Sequence, residues 1–390
     1  MSTPPTKAPA KVAMPSVIAP VDLAAERAEL GSALEEALIR TLHSGAYVLG
    51  PEVEAFEREF AAYQRCAHGI GVASGTDALV LALLAAGVER GDRVLTSPFT
   101  FFASAGAICW MGAVPTFADV ELDTALLDPK ACASALDDET TCILPVHIYG
   151  QLADLTAFEK LSKTRGVALV EDAAQAHGAE RDGRRAGEVG VAAAFSFYPT
   201  KNLSAASDAG LISARDDAVA TRLRQLRDHG SPVKYEHAFV GTNSRLSALQ
   251  AALLRIKLQR LEEWNDRRRR TAAIYDEAFA GNDALRPIRV AKGSKHVYHQ
   301  YGVRVVADRE GESGARDRVL AALRERGIIA SIHYPKPVHL QPALAHLGHG
   351  PGDFPNAERL AAEILCLPIH PFLSTGDAER VAAELLALVG

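Results

Sequence analysis

From about residue 70 to about 215, short apolar runs alternate with stretches whose apolar positions recur every three or four residues. "GIGVAS" predicts a strand and "TDALVLALLAAGV" a helix after it. "DRVLTSP" is a strand, and "FFASAGAICWMG" a helix that begins at Phe101. "AVPTFADV" and "CILPVHIYG" are strands, and "LTAFEKLSKTRG" is a helix ending on Gly166. "VALVEDAAQ" is a strand running into a loop, and "VAAAFSFY" and "AGLISAR" are two closely spaced strands. Such a βαβ rhythm predicts a mostly parallel sheet with helices on both faces.

The pattern then changes. Arg245 to about Ala280 carries no Gly or Pro, and Leu246, Leu249, Leu253, Ile256, Leu261 and Trp264 recur at helical spacing. One long helix is expected there, bridging two domains or two subunits. The remainder mixes predicted strands ("QYGVRVV", "IIASIHYP") with predicted helices ("RDRVLAALRERG", "AERLAAEILCL", "GDAERVAAELLALV") and reads as a smaller α+β domain. The expected division is a flexible tail over 1–16, a large domain over 17–250, and a linking helix with a small C-terminal domain over 251–390. A chain of 390 residues is long for one core, which fits two domains.

Composition narrows the function classes. The net charge is −6 and no long basic run exists. The cluster Arg267 to Arg270 sits in the long helical stretch and is expected to be a solvated helix face. No nucleic-acid partner is expected. Five cysteines, irregularly spaced and without a C-x-x-C pair, argue against a disulfide framework and a zinc site, and for a reducing cytosol. The most apolar stretch, Ala78 to Val88, is too short to cross a bilayer. The N-terminal segment lacks the apolar core of a signal peptide. A cytoplasmic protein without a membrane partner is expected.

In open parallel sheets, ligands sit at the carboxyl ends of the strands. Ser74, Ser97, His147, Asp172, Gln175 and Ser196 fall at predicted strand ends. Asp172 closes the apolar run "VALVED", where a carboxylate is costly unless it meets donors or a cation. It suits an N-cap, or a partner for the protonated ring nitrogen of pyridoxal phosphate (PLP). Lys201 follows among aromatic and small residues, "FSFYPTKNLSAASDAG". An ordinary lysine is exposed; a partly desolvated one has a lowered pKa and attacks an aldehyde. "ASGTDAL" places Ser74, Gly75 and Thr76 where a strand turns into a helix, a plain N-cap or an anion cradle. Ser196 is suited to donate to the same phosphate. Phe101 suits either the core or the face of a flat ring. His147 fits a site wall or a satisfied buried histidine equally.

Assembled in order, "GPEVEAFEREFA", "GVASGTDAL", "PVHIYGQ", "VEDAAQAHGA", "FSFYPTKNL", "GTNSRLSALQAALL" and "HYPKPVHLQPA" resemble the nucleotide-sugar aminotransferases of the DegT/DnrJ/EryC1/StrS family, from about Val21 to the C-terminus. The resemblance implies a type I PLP-dependent aminotransferase fold in the α/β class. Its large domain carries a mostly parallel seven-stranded sheet and is followed by the smaller α+β domain. It implies a homodimer with active sites at the subunit interface. Lys201 would hold PLP covalently and shuttle the proton, and Asp172 would pair with the pyridinium nitrogen. Gln175 would bond the phenolic oxygen, and Phe101 would stack on the ring. Gly75, Thr76 and Ser196 would hold the phosphate, with Asn243 reaching it from the other subunit. Arg245, His333 and Tyr334 would approach the sugar or the donor's carboxylates, Arg245 as the anion clamp.

The resemblance also implies the reaction. An amino acid, by family habit glutamate, gives its amino group to a keto-sugar carried on a nucleotide, the motifs leaning towards a 3-keto sugar. The alternatives are a dehydratase-like member, against which Lys201 argues because that branch has histidine there, and a PLP-binding regulatory protein. One departure stands out. Ser204 and Ser207 replace glycines usual after the lysine, and Ala206 a larger residue. If the backbone there needs φ > 0, each serine costs about 1 kcal/mol or more and the loop takes another path.

Overall fold

The computed structural model describes residues 17–306 and 314–390. The expected tail, 1–16, lies outside the described residues. Three helices come first: α1 (Leu23–Leu30), α2 (Ala33–Ser44) and α3 (Pro51–Gln64). Then follow β1 (His68–Val72), α4 (Gly75–Ala85), β2 (Arg93–Thr96), α5 (Ala103–Trp110), β3 (Val114–Phe117), α6 (Pro129–Ala135), β4 (Thr140–Leu144), α7 (Leu155–Arg165) and β5 (Ala168–Asp172). A short hairpin, β6 (Glu180–Arg181) and β7 (Arg184–Arg185), precedes β8 (Ala192–Ser196) and β9 (Gly210–Ala214).

These strands form a seven-stranded sheet in the order β1-β9-β8-β5-β4-β2-β3. From β8 through β3 the neighbours run parallel, while β9 runs antiparallel to both β8 and β1. The connection between β8 and β9 forms turns and no crossover helix, and β9 returns antiparallel beside β8. Strands buried over all but one residue, such as β5 from Leu169 to Asp172 and β8 from Ala192 to Phe195, match a sheet covered on both faces. One face packs Phe56, Phe60, Phe195 and Phe197; the other packs the apolar helix α4.

The rest of the chain is α8 (Asp217–Leu226), α9 (Ala248–Leu258), α10 (Leu261–Phe279), β10 (Leu285–Pro287), β11 (Ser294–Lys295), β12 (Tyr301–Val305), α11 (Ala315–Glu325), α12 (Pro355–Glu363), β13 (Ile364–Leu367) and α13 (Thr375–Val389). A second sheet has the order β10-β12-β13, and β11 joins the β6–β7 hairpin.

Several expectations are corrected. The long helix is two helices, broken at Gln259 and Arg260, because its halves serve different surfaces. Arg255 on α9 pairs with Glu52 and Glu59 of α3, whereas α10 packs against α13. "AERLAAEILCL" is a helix only to Glu363; Ile364–Leu367 is a buried strand against β12. Four consecutive apolar residues do not distinguish the two by periodicity. "IIASIHYP" makes only two isolated bridges, Ile328 with Ile18 and Ser331 with Cys366. The arginine cluster is a solvated face only at Arg270, which is exposed. Arg267 pairs with Glu29 and Glu263, Arg269 with Glu262 and Asp266, and Arg268 is buried, donating to the carbonyl of Ile369 at 2.7 Å. All five cysteines are free thiols. Among the described residues, no helix is long and apolar enough to cross a membrane.

Candidate active site

The tips of β1, β5 and β8 open onto a cavity of about 590 Å³. Ser74, Gly75, Thr76, Phe101, His147, Asp172, Gln175, Ser196, Lys201, His333 and Tyr334 all line it. Of the residues expected there, Ser97, Asn243 and Arg245 do not; Ser97 is buried, with its hydroxyl bonded to the backbone of Phe99. Asn243 is exposed, and Arg245 is held by Asp228 at 2.9 Å. In the single chain, Arg245 therefore clamps a neighbouring carboxylate instead of facing the cavity.

Lys201 follows β8 in a tight turn closed by its own N–H on the carbonyl of Tyr198, 2.8 Å. Burial pushes its amine down from 10.5 to about 8, against the opposing pull of the Asp172 charge. Nearby imidazoles add no compensating anion. Burial and the neighbouring Lys201 charge lower His177 to about 3 and His333 to about 4, and they lower His299 well below its ordinary value. All three are neutral at pH 7.

Asp172 is buried at the end of β5 and is not a plain N-cap. Its Oδ2 accepts from the Ser104 hydroxyl at 2.7 Å and its Oδ1 from the N–H of Ala174 at 3.2 Å. Gln175 bridges two groups: its Oε1 accepts from the N–H of Tyr149 at 2.7 Å, and its Nε2 donates to the Tyr334 hydroxyl at 3.1 Å. His333 is held through its Nε2 by the Ser331 hydroxyl, 3.0 Å away, and its carbonyl accepts from the Tyr149 hydroxyl. His147 fits both descriptions. It lines the cavity, yet its Nδ1 accepts from the N–H of Ala153 at 3.1 Å and its Nε2 meets buried Glu171 at 2.8 Å.

At the start of α4, Ser74 caps the helix by accepting from the N–H of Asp77 at 3.1 Å. Asp77 is a negative charge in that first turn, and its carboxylate is taken up by the Ser244 hydroxyl at 2.6 Å. Gly75 is required by crowding: a Cβ there would sit 2.6 Å from the Cβ of Ser196. The close approach leaves Gly75, Thr76 and Ser196 around one small space at a helix N-terminus, the geometry that favours an anion. Phe101 precedes the helix expected to start there, since α5 begins at Ala103. Its ring is exposed on the cavity wall, 5.8 Å from that of Tyr334.

The path after the lysine also corrects an expectation. Neither Ser204 nor Ser207 has a positive φ, so no glycine is needed at either position. Ser204 is buried and accepts from Lys257 at 3.2 Å, and the N–H of Ala206 donates to Gln250 at 2.7 Å. Sequence reasoning missed Thr100, Ser104, Tyr198, Asp208 and His299, and the cavity wall formed by Pro20 and Val21. The hydroxyls in "TFFAS", just past a strand end, were the available signal for the first two.

PLP fits these residues. A small anion cradle, a buried carboxylate with lone pairs to spare and an amine lowered by burial share one cavity of sufficient volume. Comparison with known proteins agrees. The profile of the DegT/DnrJ/EryC1/StrS aminotransferase family matches residues 29–386. A Streptomyces venezuelae dTDP-3-amino-3,4,6-trideoxy-alpha-D-glucose transaminase is 44% identical over 361 residues, 93% of each chain. A UDP-N-acetyl-3-dehydro-alpha-D-glucosamine 3-aminotransferase of Acidithiobacillus ferrooxidans is 39% identical over 94% of this chain and 96% of its own. The crystal structure of S. venezuelae DesV in complex with a ketimine intermediate superposes with a TM-score of 0.92 at 42% identity, covering 96% of this chain and 99% of that one. The chain belongs to the DegT/DnrJ/EryC1/StrS aminotransferase family and, as a member of it, is a PLP-dependent sugar aminotransferase.

Proposed function

We propose that the protein transfers the amino group of an amino acid, glutamate as the first donor to test, to C3 of a nucleotide-linked keto-sugar. The product is an amino sugar for a cytoplasmic biosynthetic route. The observation that carries the chemistry is the Lys201 amine, lowered by burial to about 8 in the same cavity as Asp172. The choice of C3 is supported by the relatives whose names place the new amino group there, one on a dTDP-sugar and one on a UDP-sugar.

Bound PLP supplies an electron sink for the pair left when a proton departs from the donor's Cα. The chain's own residues do the rest. Lys201 would hold the cofactor through Nζ; its neutral amine would take the donor's Cα proton and deliver it to the cofactor carbon, and in the second half-reaction it would move a proton the opposite way, to the sugar carbon. An amine near pH 7 in proton affinity serves in both directions. Asp172 would keep the ring nitrogen protonated, and Gly75, Thr76 and Ser196 would hold the phosphate. Gln175 would reach the phenolic oxygen, and Phe101 would lie against the ring. His333 and Tyr334 line the wall for the sugar or the donor.

Asn243 and Arg245 complete the site from a second copy of the chain. Exposure of Val233, Tyr235 and Val240 on the segment leading to them supports a homodimer that covers this face. Purified protein is expected to be yellow and to lose its visible band with glutamate. Lys201→Ala is expected to abolish the cofactor mass that borohydride fixes to the wild type. A colourless protein that ignores PLP, or a yellow one whose band no amino donor bleaches, overturns the proposal.

A further inference from the structure

Asp172 does not stand alone. Its Oδ2 accepts from Ser104 Oγ at 2.7 Å, and Ser104 Oγ lies 2.8 Å from Thr100 Oγ1. Both hydroxyls are buried, 1% and 2% exposed. The proton order in this chain is fixed. An ionised carboxylate only accepts, so the single Ser104 hydrogen points to Asp172, and the hydrogen between the hydroxyls must come from Thr100. The result is a directed relay, Thr100 to Ser104 to Asp172, in which each bond polarises the next.

We propose that Thr100 and Ser104 are positioning residues that aim Asp172 at the cofactor's ring nitrogen and keep the shared proton on the ring. The inference rests on the reading that Asp172 faces that nitrogen. A hydroxyl donating to a carboxylate stabilises its charge. It thereby opposes transfer of the ring proton to Asp172, which would leave both groups neutral and the ring a poorer electron sink. The relay also fixes the carboxylate's rotation, because Ala174 holds the other oxygen at 3.2 Å. Loss of Ser104 acts in one direction on both counts: the ring becomes less positive. Lys201 and Tyr334 are the titratable groups that also interact with this carboxylate, and neither is touched by the variants below.

The test is spectroscopic and independent of turnover. PLP-loaded wild type, Ser104→Ala, Thr100→Val and the double variant are titrated with pH while the visible band is followed. A less positive ring withdraws less from the lysine-linked nitrogen, which then keeps its proton to higher pH. In Ser104→Ala the transition is expected about half a pH unit higher, with PLP binding weakened roughly fivefold. Thr100→Val is expected to shift the transition the same way by less. The double variant is expected to match Ser104→Ala, since Thr100 acts only through Ser104. An unmoved or lowered transition in Ser104→Ala, or additive shifts in the double variant, overturns the relay. Thr100→Val alone decides the point if Ser104→Ala does not fold: no shift there counts against it. A wild-type protein without a visible band would instead defeat the functional proposal itself.

Discussion

Lys201 offers the sharpest quantitative test. The amine is lowered from 10.5 to about 8, with burial as the main cause. At pH 7, about one amine in ten is then neutral, against roughly one in three thousand for an ordinary lysine, a gain of about 300-fold in nucleophile. The perturbation is pH, and the assay is the rate at which cofactor-free protein captures PLP, followed by absorbance. Borohydride trapping and peptide mass locate the bond. The rate constant is expected to climb about tenfold per pH unit up to about 8 and then level off. Removing the opposing charge with Asp172→Asn is expected to move the break to lower pH, because Asp172 holds the amine up. The stability sign follows from the same shift. Between about 8 and 10.5 the unfolded chain binds more protons at this group than the folded one, so its contribution to stability rises with pH there. A capture rate that keeps climbing beyond pH 10, as for a solvated lysine, would refute burial as the activating cause.

Two further substitutions probe the frame. Gly75→Ala forces a Cβ to 2.6 Å from Ser196 Cβ. It is expected to cost about 1–3 kcal/mol in denaturant unfolding and to weaken PLP binding at least tenfold in equilibrium titration; unchanged affinity would mean the cradle lies elsewhere. Ser204→Gly restores the residue usual in the family, yet is expected to destabilise by about 1–2 kcal/mol in the same unfolding experiment. The serine already has a negative φ and its hydroxyl meets Lys257, so glycine only adds unfolded-state freedom and removes a bond. A stabilised variant would show that this backbone prefers glycine.

What could be read from the chain was what is local. Asp172 at the end of an apolar run, Gly75 and Thr76 at a strand-to-helix turn, and Lys201 after an aromatic strand each carry their signal within a few residues. The parallel sheet turns those strand ends into one cavity. What could not be read depends on separations the chain does not encode in sequence order. Ser104 meets Asp172 across 68 positions, and Glu26 reaches the buried Lys257 from α1. The break between α9 and α10 was hidden for the same reason: its apolar spacing is helical on both sides, and only the partners of Arg255 and Arg260 reveal the change of direction. The strand Ile364–Leu367 was lost to an apolar run too short to have a period.

The serine-for-glycine exchanges after Lys201 have a physical resolution in these long-range contacts. Asn202, the residue next to the lysine, donates through Nδ2 to Asn265 on α10 and to the carbonyl of Val297, both at 2.8 Å. Its Oδ1 therefore accepts from Nδ1 of His299 at 3.3 Å, which leaves Nε2 of that neutral ring, a residue of the cavity wall, as an acceptor. Asn265 in turn donates to the carbonyl of His177 at 2.9 Å. Two residues further on, buried Ser204 meets Lys257, which Glu26 neutralises, and Gln250 takes the N–H of Ala206. The path of the loop is thus set by side chains of α9, α10 and the segment before β12, rather than by conformations that only glycine adopts. A loop defined from outside tolerates a changed residue within it, provided φ stays negative, and so Lys201 keeps its place opposite Asp172.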